Sequence, residues 1–379
     1  MKPSSLIDKE MNTLKTGTVR YEHGGNLRKL AEIAGCPREG ILDFSANINP
    51  LGPPGWLSDL INAKISSLVH YPDPDCRSLV KALSNRYQIR EGEILIGNGS
   101  TELFYLLPRV LPVSSALVPV PSYADYTRAP QQAGLPVEVI PLEEGSGFEL
   151  DLSALRVRLK GNELVVIGLP NNPTGLLFDT DSLRMLAVQH PSTFFMIDEA
   201  FIDFIAGADS LISRRLANVI VLRSLTKFYA IPGLRLGWAA ADSAIVERVR
   251  AIAPPWSVNS IAQAVGEALF QMDNEYAERT RSLVQEEQKF ILGELRSFGG
   301  LTAFPGKANF LLVRIDHGEL KAPGLARRML KEGLAIRVCD NFPGLDDRFF
   351  RLAVRTREEN RRLLGALQAA LGRGYSPGR

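Results

Sequence analysis

The stretch Val219-Ile220-Val221-Leu222-Arg223-Ser224-Leu225-Thr226-Lys227 fixes the architecture. Its first four residues are apolar, three of them β-branched, and show no alternation with polar residues. A strand of that kind is covered on both faces, and such strands belong to parallel sheets whose crossovers lay helices on each side. Similar runs recur upstream at Ile94–Ile96, Ala116–Val120, Val137–Ile140, Leu164–Ile167 and Phe194–Ile197, and downstream at Leu236–Ala240. Helical stretches at Thr101–Leu107 and Asp179–Gln189 separate some of them. The expectation is an α/β large domain on a mainly parallel, seven-stranded sheet.

Pro254-Pro255 interrupts this pattern, and the periodic stretch Asn259–Phe298 reads as one or two long helices. Beyond it, Asn309–Ile315, Ala335–Cys339 and Phe349–Val354 are strand candidates, with helices at Pro323–Lys331 and Arg357–Leu371. A smaller α+β C-terminal domain follows. The expected division is an N-terminal arm over 1–45 that closes over the site, a large domain over 46–258 and a small one over 259–379. Residues after Leu371 read as a frayed tail.

Composition narrows the partners. The chain has 379 residues, 44 basic and 42 acidic, for a net charge of +2, with 45% hydrophobic and 23% charged residues. That is a globular chain without the field that nucleic acid demands, so a small-molecule partner is expected and no nucleic acid. Cys36, Cys76 and Cys339 have no paired spacing, and His23, His70, His190 and His317 form no HExxH pattern; neither disulfides nor a metal are expected. The polar start, and the lack of any run of ~18 apolar residues, predict neither secretion nor membrane insertion, hence a cytoplasmic protein.

Four segments carry chemistry. Gly97-Asn98-Gly99-Ser100-Thr101-Glu102 follows a strand and opens a helix, so its free amides and hydroxyls suit a phosphate, although ordinary helix capping produces the same residues. Pro170-Asn171-Asn172-Pro173-Thr174-Gly175 is a turn by its composition, placed where ligands of α/β sheets sit. Asp198 ends the apolar run Phe194–Ile197, where a carboxylate needs a cation, a protonated ring nitrogen or a helix to cap. Lys227 lies among Phe228, Tyr229 and Ile231, with Ser224 on one side and Arg235 on the other; desolvation lowers an amine pKa, while the hydroxyl and the guanidinium suit a phosphate. An imine-forming amine, a carboxylate for a pyridinium, an amide donor and a phosphate cup are together what pyridoxal 5′-phosphate requires.

In order and spacing these motifs resemble the fold-type I pyridoxal-phosphate enzymes of the class I/II aminotransferase family: Gly97 to Glu102, Asn171 to Gly175, Asp198-Glu199-Ala200, Ser224 to Lys227, and an arginine eight positions after the lysine. The resemblance implies the PLP-dependent transferase-like fold, with Lys227 condensing with the cofactor aldehyde and Asp198 pairing with the ring nitrogen. It further implies that Asn172 bonds the ring oxygen, that Tyr123 stacks on the ring, and that Gly99, Ser100, Thr101, Ser224 and Arg235 hold the phosphate. Tyr71 would reach that phosphate from a neighbouring subunit, which implies a homodimer with shared sites. Where many relatives carry a tyrosine three residues after the aspartate, this chain has Phe201.

For the substrate, the same resemblance implies that Arg355 grips a carboxylate, with Arg351 its rival, and that Arg337 binds a phosphate. The segments Glu22-His23-Gly24-Gly25-Asn26 and Leu42 to Pro53 are similar to those of a narrower branch, the threonine-phosphate decarboxylases of cobalamin biosynthesis, which are cousins of the histidinol-phosphate aminotransferases. His23 and Asn47 can donate to an anion there, and Asn172 faces the same guest. The implied activity is decarboxylation of L-threonine O-3-phosphate to (R)-1-amino-2-propanol O-2-phosphate. A histidinol-phosphate or related aminotransferase is the alternative, and a PLP-sensing regulatory module a third reading that the even charge balance disfavours.

Overall fold

All six residues of Val219–Ser224 are buried in a strand, as are the six of Glu163–Gly168, because helices cover both faces of the sheet they share. The computed structural model of the protein describes residues 23–271, 274–316 and 318–371. Its strands are β1 Leu42–Asp43, β2 Ile94–Asn98, β3 Ser115–Val120, β4 Val137–Pro141, β5 Glu163–Gly168, β6 Phe194–Asp198, β7 Val219–Ser224, β8 Leu236–Ala240, β9 Leu301–Phe304, β10 Phe310–Ile315, β11 Leu334–Ala335, β12 Arg337–Val338 and β13 Phe349–Ala353.

Seven of them form the large sheet in the order β2-β8-β7-β6-β5-β3-β4. Neighbours from β7 through β4 are parallel, whereas β8 runs antiparallel to both β7 and β2. Alternate residues feed two cores: Val165, Ile167, Phe195, Ile197, Val219 and Val221 on one face, Leu164, Val166, Met196, Ile220 and Leu222 on the other. This topology brings the chemistry to one edge. The carboxyl ends of β2, β5, β6 and β7 lie together there, and the reversed β8 begins at that same edge, with Gly237 opposite Ser224 and Leu236 opposite Asn98.

The second sheet, β12-β13-β10-β9, is antiparallel. It packs with the helices Glu275–Leu295, Ala322–Lys331 and Arg357–Leu371 around Ile291, Leu325, Phe350, Leu363 and Leu367. Here the structure refines the sequence reading. The stretch 259–298 makes two helices, Ser260–Leu269 and Glu275–Leu295, and the first buries Ala262 and Val265 in the large-sheet core. The single strand expected over Ala335–Cys339 splits at Ile336: β11 pairs with β1, and β12 pairs with β13. That β1–β11 pairing attaches the chain just ahead of the large sheet to the C-terminal lobe. Of the expected arm, residues 1–22 lie outside the described residues, as do those after Leu371. Among the described residues, no helix is long and apolar enough to cross a membrane.

Candidate active site

A cavity of about 950 Å³, counting its part open to solvent, lies at the converging strand ends. Gly99, Ser100, Thr101, Tyr123, Asn172, Asp198, Ser224, Lys227 and Arg235 all line it, together with His23, Asn47, Arg337 and Arg351. The first nine meet here because their segments flank strand ends at that edge of the large sheet, whereas Arg337 and Arg351 come from β12 and β13 of the second sheet and His23 and Asn47 from the chain ahead of β2.

The cup for a phosphate is formed by the turn after β2 and the turn before β8. Gly99 has φ 77°, and a Cβ there would lie 2.5 Å from Arg235 Nη2. A Cβ on Gly237 would lie 2.2 Å from the Ser100 amide nitrogen. Gly237 is required by close approach of backbone and Gly99 by its positive φ, and the space they leave is bordered by amides, hydroxyls and a guanidinium. Ser224 and Thr226 join their hydroxyls at 2.7 Å on the same side. Arg235 holds φ 57°, a conformation costly for a side chain with a Cβ and one that places its guanidinium against Gly99.

Lys227 sits on the short helix Leu225–Phe228 directly after β7. Part of it faces the cavity, but the walls withhold water, and Arg235 and Arg351 add positive charge. Together they lower its pKa to about 8. Asn49 clamps this helix: its amide N–H donates to Lys227 O at 3.1 Å and its side-chain Nδ2 to Phe228 O at 2.7 Å. The N-terminal motif therefore contributes a support that the sequence reading left without a role.

Asp198 forms the floor. Burial pushes its pKa up to about 6, against hydrogen bonds from Tyr126 and the Ala200 amide and the charge of Lys227. Tyr126 Oη donates to Oδ2 at 2.6 Å, and Ala200 N donates to Oδ1 at 3.0 Å. A carboxylate raised this far by burial is stabilised by a cation such as a protonated ring nitrogen. Tyr126 was not singled out in the sequence; its one signal is the position three residues after Tyr123, on the helix that follows β3. Tyr123 lies 5.4 Å from the His23 ring and 5.6 Å from the Tyr126 ring, centroid to centroid.

Asn172 and Arg351 form one unit, Arg351 Nη1 donating to Asn172 Oδ1. This leaves the Asn172 amide nitrogen as the group able to donate into the pocket. Arg351 Nη2 also donates to Ser45 O at 2.8 Å, and its guanidinium lies over the Phe310 ring at 5.3 Å. Burial and Arg337 hold its pKa down, to about 10. Arg337 is the partner of Arg351 across β12 and β13, so both side chains leave the same face of the sheet. Arg337 Nη2 donates to Asn341 Oδ1 at 2.7 Å.

The assignment of the carboxylate grip to Arg355 is corrected. β13 ends at Ala353, and Arg355 lies in the link ahead of the helix Arg357–Leu371, where its Nη2 pairs with Glu359 Oε1 at 2.7 Å and its Nη1 donates to Asp43 O at 3.3 Å. It does not line the cavity; Arg351 does. Asn47 is buried in the cavity wall, and its Oδ1 has no partner. His23 Nε2 stands 4.0 Å from Asp125 Oδ2, beside Gly24 and Gly25, which lie against Ser45. Tyr71 is outside the cavity, 81% exposed, with its ring tilted against Trp256 at 4.9 Å between centroids. Phe201 lines the wall and packs edge-on against Phe310 at 5.0 Å.

A model of the aminotransferase class I and II family matches residues 39–367. The chain belongs to that family. Its members are pyridoxal-phosphate enzymes, and the cup, the lysine and the buried carboxylate described above fit that cofactor. Within the family, the chain is 38% identical to the threonine-phosphate decarboxylase of Salmonella typhimurium, over 92% of this chain and 96% of that one. It is also 38% identical to the adenosylcobalamin biosynthesis bifunctional protein CobDQ of Leptospira interrogans, over 91% of this chain but 40% of that protein's length. Among solved structures, the histidinol-phosphate aminotransferase of Clostridium acetobutylicum superimposes with a TM-score of 0.81 at 31% identity, over 87% of this chain and 98% of that one.

Proposed function

We propose that the protein decarboxylates L-threonine O-3-phosphate to (R)-1-amino-2-propanol O-2-phosphate and carbon dioxide, as a step of cobalamin synthesis. The pairing of Arg337 with Arg351 across β12 and β13 carries this reading. Beyond the phosphate cup around Arg235, it puts two further guanidiniums on one wall of the cavity. Two guanidiniums on one wall suit a guest with two anionic ends, and an amino acid phosphate has a carboxylate for one and a phosphate for the other. The likeness to the Salmonella decarboxylase supports the same guest.

Bound in the cup, the cofactor supplies an electron sink for whichever α-carbon bond is held perpendicular to its ring. The chain's own residues choose the bond. Arg351 takes the carboxylate and Arg337 the phosphate, so a guest gripped at both ends does not rotate about its α-carbon. Asp198 keeps negative charge at the floor, and Lys227, with a pKa of about 8, is placed to deliver the proton that replaces the lost carboxylate. His23 and the Gly24–Gly25 backbone close the side against Ser45.

Transamination of histidinol phosphate is the second reading, favoured by the match to the Clostridium structure; it uses the same residues with the α-hydrogen perpendicular. L-threonine O-3-phosphate given alone, with no 2-oxo acid, separates the two. The proposal expects carbon dioxide in many-fold excess over enzyme. A single conversion of the cofactor to pyridoxamine phosphate, with no gas, contradicts it.

We also infer a homodimer. Ile65, Leu68, Val69 and Tyr71 are exposed apolar residues on one short segment, next to an exposed Trp256, as a face covered by a second copy is. Light scattering that reads one chain at micromolar concentration contradicts this.

A further inference from the structure

Tyr126 is buried, and its hydroxyl reaches Asp198 Oδ2 at 2.6 Å. Phe104 stacks on its ring at 5.4 Å and Tyr123 meets it edge-on, so it has little freedom to point elsewhere. A second observation concerns the residue opposite Asp198. Gly168, at the end of β5, is the cross-strand partner of Asp198, and a Cβ on Gly168 would lie 2.8 Å from the Tyr126 hydroxyl. No positive φ calls for glycine there. The missing side chain keeps open the space that the hydroxyl occupies.

We infer that Tyr126 is a positioning residue for the ring end of the cofactor: through a berth left by Gly168, its hydroxyl holds the Asp198 carboxylate ionised and aimed at the ring nitrogen. The role is independent of which substrate bond breaks. The groups facing Asp198 are the Tyr126 hydroxyl, the Ala200 amide and, at longer range, Lys227; those facing Tyr126 add Tyr123 and Asp125. Burial raises the Tyr126 pKa well above its ordinary value, so the hydroxyl keeps its proton and donates. The same bond lowers the Asp198 pKa against its burial. Without it the carboxyl takes up a proton at higher pH and loses its pairing with a ring cation.

The test compares two ligands on the full-length chain stripped of cofactor: pyridoxal phosphate, and its 1-deaza analogue with C–H in place of the ring nitrogen. Tyr126→Phe is expected to weaken pyridoxal phosphate about tenfold near neutral pH, the factor growing as pH falls, and to change the analogue by less than about twofold. A variant that weakens both ligands equally, or neither, overturns the inference. Gly168→Ala supplies the second measurement and stands if Tyr126→Phe folds poorly. It is expected to show the same preference for harming the nitrogen-bearing ligand, and to add little in the Tyr126→Phe background, where no hydroxyl remains to displace. An alanine whose effect is as large in that background as in the parent overturns it as well.

Discussion

At the scale of single residues, Arg351 and Arg355 differ in environment more than in chemistry. Arg351 is buried, bonded to Asn172 and Ser45, and lines the cavity, whereas Arg355 spends its guanidinium on Glu359 and Asp43. Arg351→Lys, which keeps the charge but not the fork, is expected to lower kcat/KM about 100-fold. Arg355→Lys is expected to change kcat/KM less than about threefold and to cost about 0.5–1 kcal/mol of stability. Equal losses of kcat/KM in the two variants contradict the placement. Lys227 provides a pH test. Its pKa of about 8 makes it a neutral nucleophile above that pH and an ammonium below. The rate at which stripped protein takes up pyridoxal phosphate should therefore rise about tenfold per pH unit up to 8 and then level off; a profile still climbing at pH 10 contradicts it.

At the scale of elements, the cup depends on backbone shape. Gly99→Ala forces a Cβ against Arg235 Nη2 at a left-handed φ, and is expected to loosen the cofactor about tenfold while leaving the cooperative melt of the stripped protein within a few degrees. A tenfold loss absent at Gly99 contradicts the cup. The strand ends that carry Asp198, Ser224 and Asn172 were legible because fully buried strands have apolar runs and polar termini. The error at Arg355 has an equally physical origin. In an extended strand, 351 and 355 share a face, so alternation does not distinguish them; what does is where the strand stops. Thr356 and Glu359 mark that point: Thr356 N donates to Glu359 Oε2 at 3.0 Å, and Glu359 N reaches Thr356 Oγ1 at 3.4 Å. This is a capping box, written in the sequence as Thr-x-x-Glu. Tyr126 carried no such mark, since its partner lies 72 positions away and only the packing of the helix after β3 on that face of the large sheet joins them.

At the scale of the whole molecule, the site belongs to two lobes. The large sheet provides the amine, the carboxylate and the phosphate cup, while β12 and β13 provide the arginine pair, and the β1–β11 pairing ties the segment leading into the large sheet to the small lobe. The pattern changes near Pro254-Pro255, yet the helix Ser260–Leu269 beyond it still packs into the large-sheet core. The β1–β11 link was not legible in the sequence, because a two-residue strand has no periodicity to read. In the proposed function, holding both ends of a guest from one lobe, over a cofactor seated in the other, selects the bond that breaks, and heavy water reports on that bond directly. Turnover of L-threonine O-3-phosphate in deuterium oxide should yield an amine with one deuteron fixed on carbon 1, which keeps its original hydrogen, and leave the recovered substrate unlabelled. Recovered substrate deuterated at its α-carbon, with no amine formed, contradicts the account.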